Sequence, residues 1–497
     1  MLDKTIQDWN SDAAGLAIEG RAFINGRYQD ALAGETRETV SPANGQKLAD
    51  VANCGIEDAD RAVAVARAAF DSGVWASMAP ADRKMVLVRW AELIEDHADE
   101  IALLECLDVG KPIADTTGVD VPAAARTIRW SGEAIDKVYD QISPAPANCL
   151  ALVQRLPLGV VAAIVPWNFP LSTTAWKLAP SLATGNSVIL KPASNTPLSA
   201  LRIAGLASEA GLPDGVLQVL PGPGGSLGRH LALHHNIDGL TFTGSTEVGK
   251  QLMRYSGESN LKRTFLELGG KSPNIVFADS NLEKAAIFAA IAVFYNGGQT
   301  CTAGTRLIVE ESIRERFVEM VVEQSKKWMP GDPLDPATTM GPMIDATQLQ
   351  TVAEYVDIGQ TEGASLVAGG SQTMLDSGGS YHEPTIFDGV KNSMRIAQEE
   401  IFGPVMSVIG FKDVEEAVAI ANDSIYGLAG AVWSNNINTA HRVAAAVRVG
   451  TMGINNYFGG DITVPFGGFK QSGNGRDKSI HAFDDYTELK TTWIEFD

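Results

Sequence analysis

Two stretches of the chain hold residues able to do covalent chemistry: Leu266-Glu267-Leu268-Gly269-Gly270-Lys271, and further on Phe294-Tyr295-Asn296-Gly297-Gly298-Gln299-Thr300-Cys301. They supply one carboxylate and one sulfur, each inside a glycine-bearing segment that lets backbone come close to a ligand. Cys301 stands between Thr300 and Thr302, behind two glycines and off any apolar helix face, where an inert thiol would sit. It reads as a nucleophile. Thiol nucleophiles often borrow a histidine, but none of the seven histidines falls in these segments. Glu267, between two leucines, is the candidate base, because apolar neighbours raise a carboxyl's pKa toward working pH. Taken singly, Cys301 reads as a small core hydrophobe and Glu267 as a strand-end charge; the pair favours chemistry.

Three further positions fit this chemistry if they lie at strand ends. Asn168, in Pro166-Trp167-Asn168-Phe169-Pro170, offers two amide hydrogens to an oxyanion, or holds a turn between prolines. Lys191 closes an apolar run and either reaches ribose hydroxyls or faces solvent. Gly244-Ser245-Thr246-Glu247-Val248-Gly249 follows a strand and opens a helix, a place for a phosphate or simply a tight turn.

The elements that must position these residues are of α/β type. Apolar residues recur at helical spacing over Ile56–Phe70 and Ala81–Leu107, and Ala22–Asp30 reads as an edge hairpin turning at Asn25-Gly26. Short apolar runs then begin: 160–165, 187–190, 215–219 and 239–243, with helical segments between them, the pattern of a parallel sheet covered on both faces. The alternation resumes after Glu267 with strands at 273–277, 306–310, 405–411, 428–433 and 451–455, and helices at 282–294, 313–327, 413–422 and 437–447. Two α/β domains joined near 260–270 are expected. The Gly/Ser-rich stretch 368–380 reads as a surface loop, and the tail 486–496 alternates as a strand with no partner nearby in sequence, paired either with another subunit or within the monomer.

Composition bounds the partners. The 497 residues are 45% hydrophobic and 20% charged, enough for two or three domains with a large core. A formal charge of −21 argues against nucleic acid and anionic membranes. The four cysteines show neither CxxC nor His/Cys spacing, so no disulfide framework and no metal site is expected. The polar start MLDKTIQDWNSDAAG and the lack of a long apolar run point to the cytoplasm.

The motifs PWNFP, KPAS, FTGSTEVG, LELGGKSPNIVF, GGQTC, QEEIFGPV and PFGGFKQSGNGR occur in an order and spacing that resemble the aldehyde dehydrogenase superfamily over essentially the whole chain. The resemblance implies a Rossmann-like cofactor domain (1–136 and 159–266), a second α/β catalytic domain (267–472) and a small β oligomerisation element (137–158 and 473–497). It implies Cys301 as nucleophile, Glu267 as general base and Asn168 with the Cys301 backbone amide as oxyanion site, and it groups Lys177 with the catalytic residues. Trp167, Lys191, Ser245 and Trp176 would line the cofactor and aldehyde channels. Glu400 and Phe402 would hold the nicotinamide riboside, with Val165, Ser194, Gly244, Gly249, Leu268 and Gly269 also on the cofactor side.

The stretches FINGRY, GDPLDPATTMG and VPFGGFKQSGNGRDKS, with the tail TELKTTWI, look like the bacterial γ-glutamyl-γ-aminobutyraldehyde dehydrogenases of putrescine and polyamine breakdown. A general aliphatic or semialdehyde dehydrogenase is the alternative. A CoA-acylating enzyme is disfavoured by Glu267, and a non-catalytic scaffold by the intact Cys301, Glu267 and Asn168. Strictly NAD-using relatives commonly carry a glutamate where this chain has Ser194; without that carboxylate nothing repels a 2′-phosphate, so both NAD and NADP are expected. Phe169, Trp176, Tyr457 and Phe466 are expected to pack the substrate's carbon chain and attract a cationic end. Asp461 and Asp120 would pair with an ammonium, or be solvated surface charges. A homo-oligomer, a dimer or a dimer of dimers, is expected.

Overall fold

A computed structural model describes residues 4–497; Met1, Leu2 and Asp3 of the polar amino-terminal stretch lie outside the described residues. Two seven-stranded sheets dominate it. The first runs Arg263–Glu267, Gly239–Thr243, Val160–Ile164, Ser187–Lys191, Leu217–Val219, then the hairpin Ala22–Ile24 and Arg27–Gln29. Its first five strands are mutually parallel, and the hairpin closes the edge antiparallel. The hairpin turns at Asn25 and Gly26, both at positive φ. Every residue of Ser187–Lys191 is buried, which is why Val188-Ile189-Leu190 at its centre is continuously apolar rather than alternating. Burying a Val, Ile or Leu there contributes about 1.5–3 kcal/mol each.

The second sheet runs Ser365–Ala368, Thr385–Asp388, Val405–Phe411, Arg306–Glu310, Pro273–Val276, Ala429–Trp433, Thr451–Ile454, with only the first pair antiparallel. The helices Leu282–Phe294 and Arg314–Ser325 pack their aliphatic faces against it. The register Thr243↔Glu267 in the first sheet brings the end of one strand beside the candidate base, and the Gly244 N–H donates to the Glu267 carbonyl (3.0 Å).

Some elements differ from the sequence reading. The helical stretch 81–107 is two helices, Pro80–Asp96 and Ala98–Val109, because His97 leaves helical geometry (φ −108°, ψ 26°). The Gly/Ser-rich stretch 368–380 contains the strand Gln372–Thr373, paired with Tyr381–His382. The helix Ala346–Thr361 and the strands Ser365–Ala368 and Thr385–Asp388 carry no strong periodic signal. Of the two pairings left open for the tail, the strand Thr487–Glu495 takes the one within the monomer, running antiparallel to Cys149–Pro157, which also pairs with Gln141–Ser143. Among the described residues no helix is long and apolar enough to cross a membrane.

Candidate active site

The helix Leu282–Phe294 ends in a left-handed turn, Asn296, Gly297 and Gly298 all having φ between 51° and 73°. The turn is packed so tightly that a Cβ on Gly298 would lie 2.1 Å from the Gly403 carbonyl oxygen. Only glycine fits there, and the turn delivers Cys301 to a cavity between the two sheets. The two stretches singled out by their residue types meet here, since a Cβ on Gly270 would stand 2.3 Å from the Cys301 carbonyl oxygen. The Tyr457 hydroxyl fixes the cysteine loop from behind by donating to the Thr302 carbonyl (2.7 Å).

Cys301, Glu267 and Asn168 all line one cavity of about 760 Å³. Glu267 is 2% exposed, and neither carboxylate oxygen accepts a hydrogen bond from the protein. Burial, reinforced by the negative charge of Asp477, raises its pKa well above the usual carboxylate range. A carboxyl of this kind is a weak acid and hence a competent base. Cys301 is partly exposed to the cavity, yet the surrounding protein pushes its thiol up to about 12, with Glu400 and Glu267 adding to the effect. The folded site therefore keeps the sulfur protonated until a base or a nearby positive charge helps remove the proton.

Asn168 is buried, and its side-chain amide nitrogen donates to the Gln299 carbonyl (2.8 Å). Its own backbone carbonyl accepts from the Asn296 side chain (3.1 Å). One amide hydrogen is thus spent on holding the side chain, and the second remains available on a residue that lines the cavity. Asn168→Ala is expected to keep the fold and lower kcat about 10²–10³-fold, the usual cost of one oxyanion donor; steady-state rates alongside circular dichroism check this.

The residues also fit a dinucleotide. Ser245 caps the helix Thr246–Glu258, its hydroxyl accepting from the Val248 N–H (3.3 Å), so the helix N-terminus opens beside Gly244 on the cavity wall. The buried Thr243 hydroxyl has no protein partner. The Glu400 carboxylate accepts from the Gly270 N–H (2.9 Å), and burial raises it to about 7. The Trp167 and Phe402 rings meet edge-on at 5.3 Å, and Gln348 holds Phe402 at positive φ by donating to the Ile401 and Phe402 carbonyls.

The aldehyde dehydrogenase family model matches residues 28–492. The chain belongs to the aldehyde dehydrogenase family. It is 51% identical over 490 residues to the NADP/NAD-dependent aldehyde dehydrogenase PuuC of Escherichia coli (strain K12), covering 98% of each chain. Among solved structures it is similar to the indole-3-acetaldehyde dehydrogenase AldA of P. syringae in complex with NAD+ and IAA, at TM-score 0.99 and 59% identity, covering 99% of this chain and 100% of that one. It is also similar to the γ-glutamyl-γ-aminobutyraldehyde dehydrogenase of Burkholderia cenocepacia J2315, at TM-score 0.98 and 55% identity, with the same coverage.

On this aldehyde dehydrogenase scaffold the expected site residues fall into two groups. Trp167, Gly244, Ser245, Leu268, Gly269, Glu400 and Phe402 line the cavity, as do Phe169, Trp176, Asp120, Tyr457 and Phe466. Val165, Lys177, Lys191, Ser194, Gly249 and Asp461 do not. Lys191 is buried, donates to the Pro192 carbonyl (3.0 Å) and is pushed down to about 8 by burial. The Ser194 hydroxyl donates to the Gly222 carbonyl (2.9 Å), Val165 donates its N–H to the Lys191 carbonyl (3.2 Å), and Gly249 lies against the Leu268 side chain. Lys177, which the resemblance groups with the catalytic residues, is buried in an ion pair with Asp477 (2.7 Å) outside the cavity lining, and its charge partly offsets the rise at Glu267.

Asp461 and Asp120, expected either to pair with an ammonium or to be solvated surface charges, sit in different settings. Asp461 is exposed, and one of its oxygens accepts both the N–H and the hydroxyl of Thr463 (2.8 and 2.6 Å). Asp120 faces the cavity but is neutralised by the buried Lys111 ammonium at 2.8 Å. Lys111, which the sequence shows only as punctuation before a proline, also lies 3.7 Å from the centre of the Phe169 ring. Lys478, Tyr295 and Gln348 are cavity residues with no strong sequence signal, although Lys478 falls inside a recognisable motif, GNGRDKS. Local spacing showed no metal site, but the fold brings Asp60, His230 and His234 together away from the cavity, with ligand atoms within 4.8 Å of one another.

Proposed function

We infer that the protein oxidises an aldehyde to its carboxylic acid with NAD or NADP, and that the aldehyde is an ω-aminoaldehyde or γ-glutamyl-aminobutyraldehyde of polyamine breakdown. The observation that carries the reaction is the convergence of Cys301, Glu267 and Asn168 on one cavity. The Cys301 thiol gives up its proton to solvent in the cavity, its sulfur adds to the aldehyde carbon, and the Asn168 amide stabilises the oxygen as the C=O bond opens and it becomes an anion. A nicotinamide held by Glu400 and Phe402 would supply the hydride acceptor for oxidation of this adduct to a thioester. Glu267 then takes a proton from water, which attacks the thioester carbon and releases the acid, returning Cys301 as the thiol.

The substrate reading is supported by the name of the Burkholderia cenocepacia relative, a γ-glutamyl-γ-aminobutyraldehyde dehydrogenase. The P. syringae relative, named for indole-3-acetaldehyde, together with the aromatic lining, favours an arylacetaldehyde as the second reading. The use of both coenzymes is supported by Ser194, which places no carboxylate against a 2′-phosphate, and by the name of the Escherichia coli relative. The division into a cofactor domain (1–136, 159–266), a catalytic domain (267–472) and an oligomerisation element (137–158, 473–497) is supported by the break between the two large sheets. Self-association through the last element is supported by the exposure of Leu489 (64%), Trp493 (56%) and Ile142 (72%) on its three-stranded sheet. A cytoplasmic location accords with four cysteines that are all free.

NADH and NADPH formation over a panel of 3-aminopropanal, 4-aminobutanal, γ-glutamyl-aminobutyraldehyde, succinate semialdehyde, indole-3-acetaldehyde and propanal tests this reading. The expected result is turnover with both coenzymes and the highest kcat/KM for a polyamine-derived aldehyde. Strict use of NAD would remove the Ser194 argument, and a preference for indole-3-acetaldehyde would favour the second reading.

A further inference from the structure

Among the described residues that line the cavity, Lys478 is the only Lys, Arg or His. Asp120 is neutralised by Lys111 and Asp477 by Lys177. Lys478 lines the same cavity and, among the described residues, makes no ion pair. Its ammonium lies 4.6 Å from the centre of the Trp176 ring and 5.6 Å from that of Phe466, two rings themselves 5.2 Å apart. Those faces, and that of Phe169 beneath Lys111, are therefore already occupied by the protein's own cations. A bare ammonium on the substrate would meet repulsion where the sequence suggested attraction.

The backbone holds this lysine deliberately. The Phe466 N–H donates to the Asp477 carbonyl (2.7 Å) and the Asp477 N–H to the Phe466 carbonyl (2.8 Å), which ties the start of the turn to the ring beneath it. Lys478 and Ser479 both then adopt left-handed geometry, at φ 62° and 53°, and the Ser479 N–H donates to the Ile462 carbonyl (2.8 Å). Two consecutive non-glycine residues in that region are unfavourable, a departure that persists where the surroundings over-determine it and that clusters at ligand sites. The nearest charges outside the cavity wall, Arg126 and Asp461, are both exposed.

We propose that Lys478 anchors the far end of the substrate and that this end carries a carboxylate. The inference rests on the aldehyde-oxidising reading of the cavity and narrows it. Of the aldehydes considered, the γ-glutamylated one carries a free α-carboxylate and succinate semialdehyde a terminal one, whereas 4-aminobutanal carries only a cation. The carboxylate would accept charge-assisted hydrogen bonds from the Lys478 ammonium while the chain lies along Trp176 and Phe466.

The test uses the full-length enzyme, its Lys478→Met and Lys478→Arg variants, and kcat/KM for γ-glutamyl-aminobutyraldehyde, succinate semialdehyde, 4-aminobutanal and propanal. The wild type is expected to prefer at least one carboxylated aldehyde over 4-aminobutanal by about 10-fold or more. Lys478→Met should lower the ratio of carboxylated aldehyde to propanal by about 10–100-fold, mainly through KM, and Lys478→Arg should restore most of it. Wild-type preference for 4-aminobutanal, or an equal loss with propanal and the carboxylated aldehydes, would overturn the proposal; the first outcome decides it even if the variants do not fold. Failure to oxidise any aldehyde would instead remove the underlying reading.

Discussion

Cys301→Ala should lose aldehyde-dependent NADH formation by more than about 10⁴-fold, the scale seen when a covalent nucleophile is removed. The side chain is partly exposed in a cavity, so its loss leaves little unfilled core, and the fold and melting temperature should change little. Dinucleotide binding should persist, because the helix N-terminus at Ser245 and the Trp167–Phe402 pair do not depend on the sulfur. Steady-state rates, thermal unfolding and a coenzyme titration measure the three quantities separately. Turnover near the wild-type rate would mean that the aldehyde is oxidised without a covalent adduct.

Glu267→Gln should behave differently. The glutamine keeps the shape and loses the base, so kcat should fall about 10²–10⁴-fold while the first turnover still yields a burst of NADH. The pH profile is the sharper readout. Water activation needs the carboxylate, and burial raises this group's pKa, so the wild-type deacylation rate should climb with pH through an ionisation above the ordinary carboxyl value of about 4.3. In Glu267→Gln that rising limb should vanish. The same shift acts on stability: the native state holds this proton to higher pH than the unfolded chain, so stability is lost as pH rises from the unfolded toward the folded pKa. The variant escapes that loss and should unfold at a higher temperature than wild type at neutral and alkaline pH, exchanging activity for stability.

The chemistry was legible because its signals are local. Cys301 behind two glycines, Glu267 between two leucines and Asn168 between two prolines each announce themselves within a few residues, and the structure places all three in one cavity. Most strands of the two sheets were legible for a related reason, being buried on both faces and so continuously apolar. Charge pairing was not legible. Whether Asp120 is a free anchor depends on Lys111 across a turn, and the state of Asp477 depends on Lys177 from a helix some 300 residues earlier in sequence. The tail's partner strand Cys149–Pro157 lies far from it in sequence, so the local alternation left both pairings open and only the resemblance grouped the two stretches. Lys478 shows the consequence most clearly, since the residue that bears on substrate charge sits in a motif and its meaning comes from the two aromatic rings beneath it.

The most direct test is to mix Glu267→Gln with an aldehyde and NAD, quench within the burst, and weigh the intact protein before mapping its peptides. The expected result is a mass increase equal to the acyl group, carried by the peptide that contains Cys301 and disappearing as the acid is released. A burst of NADH with no added mass, or with the acyl group on another residue, would contradict covalent catalysis through Cys301.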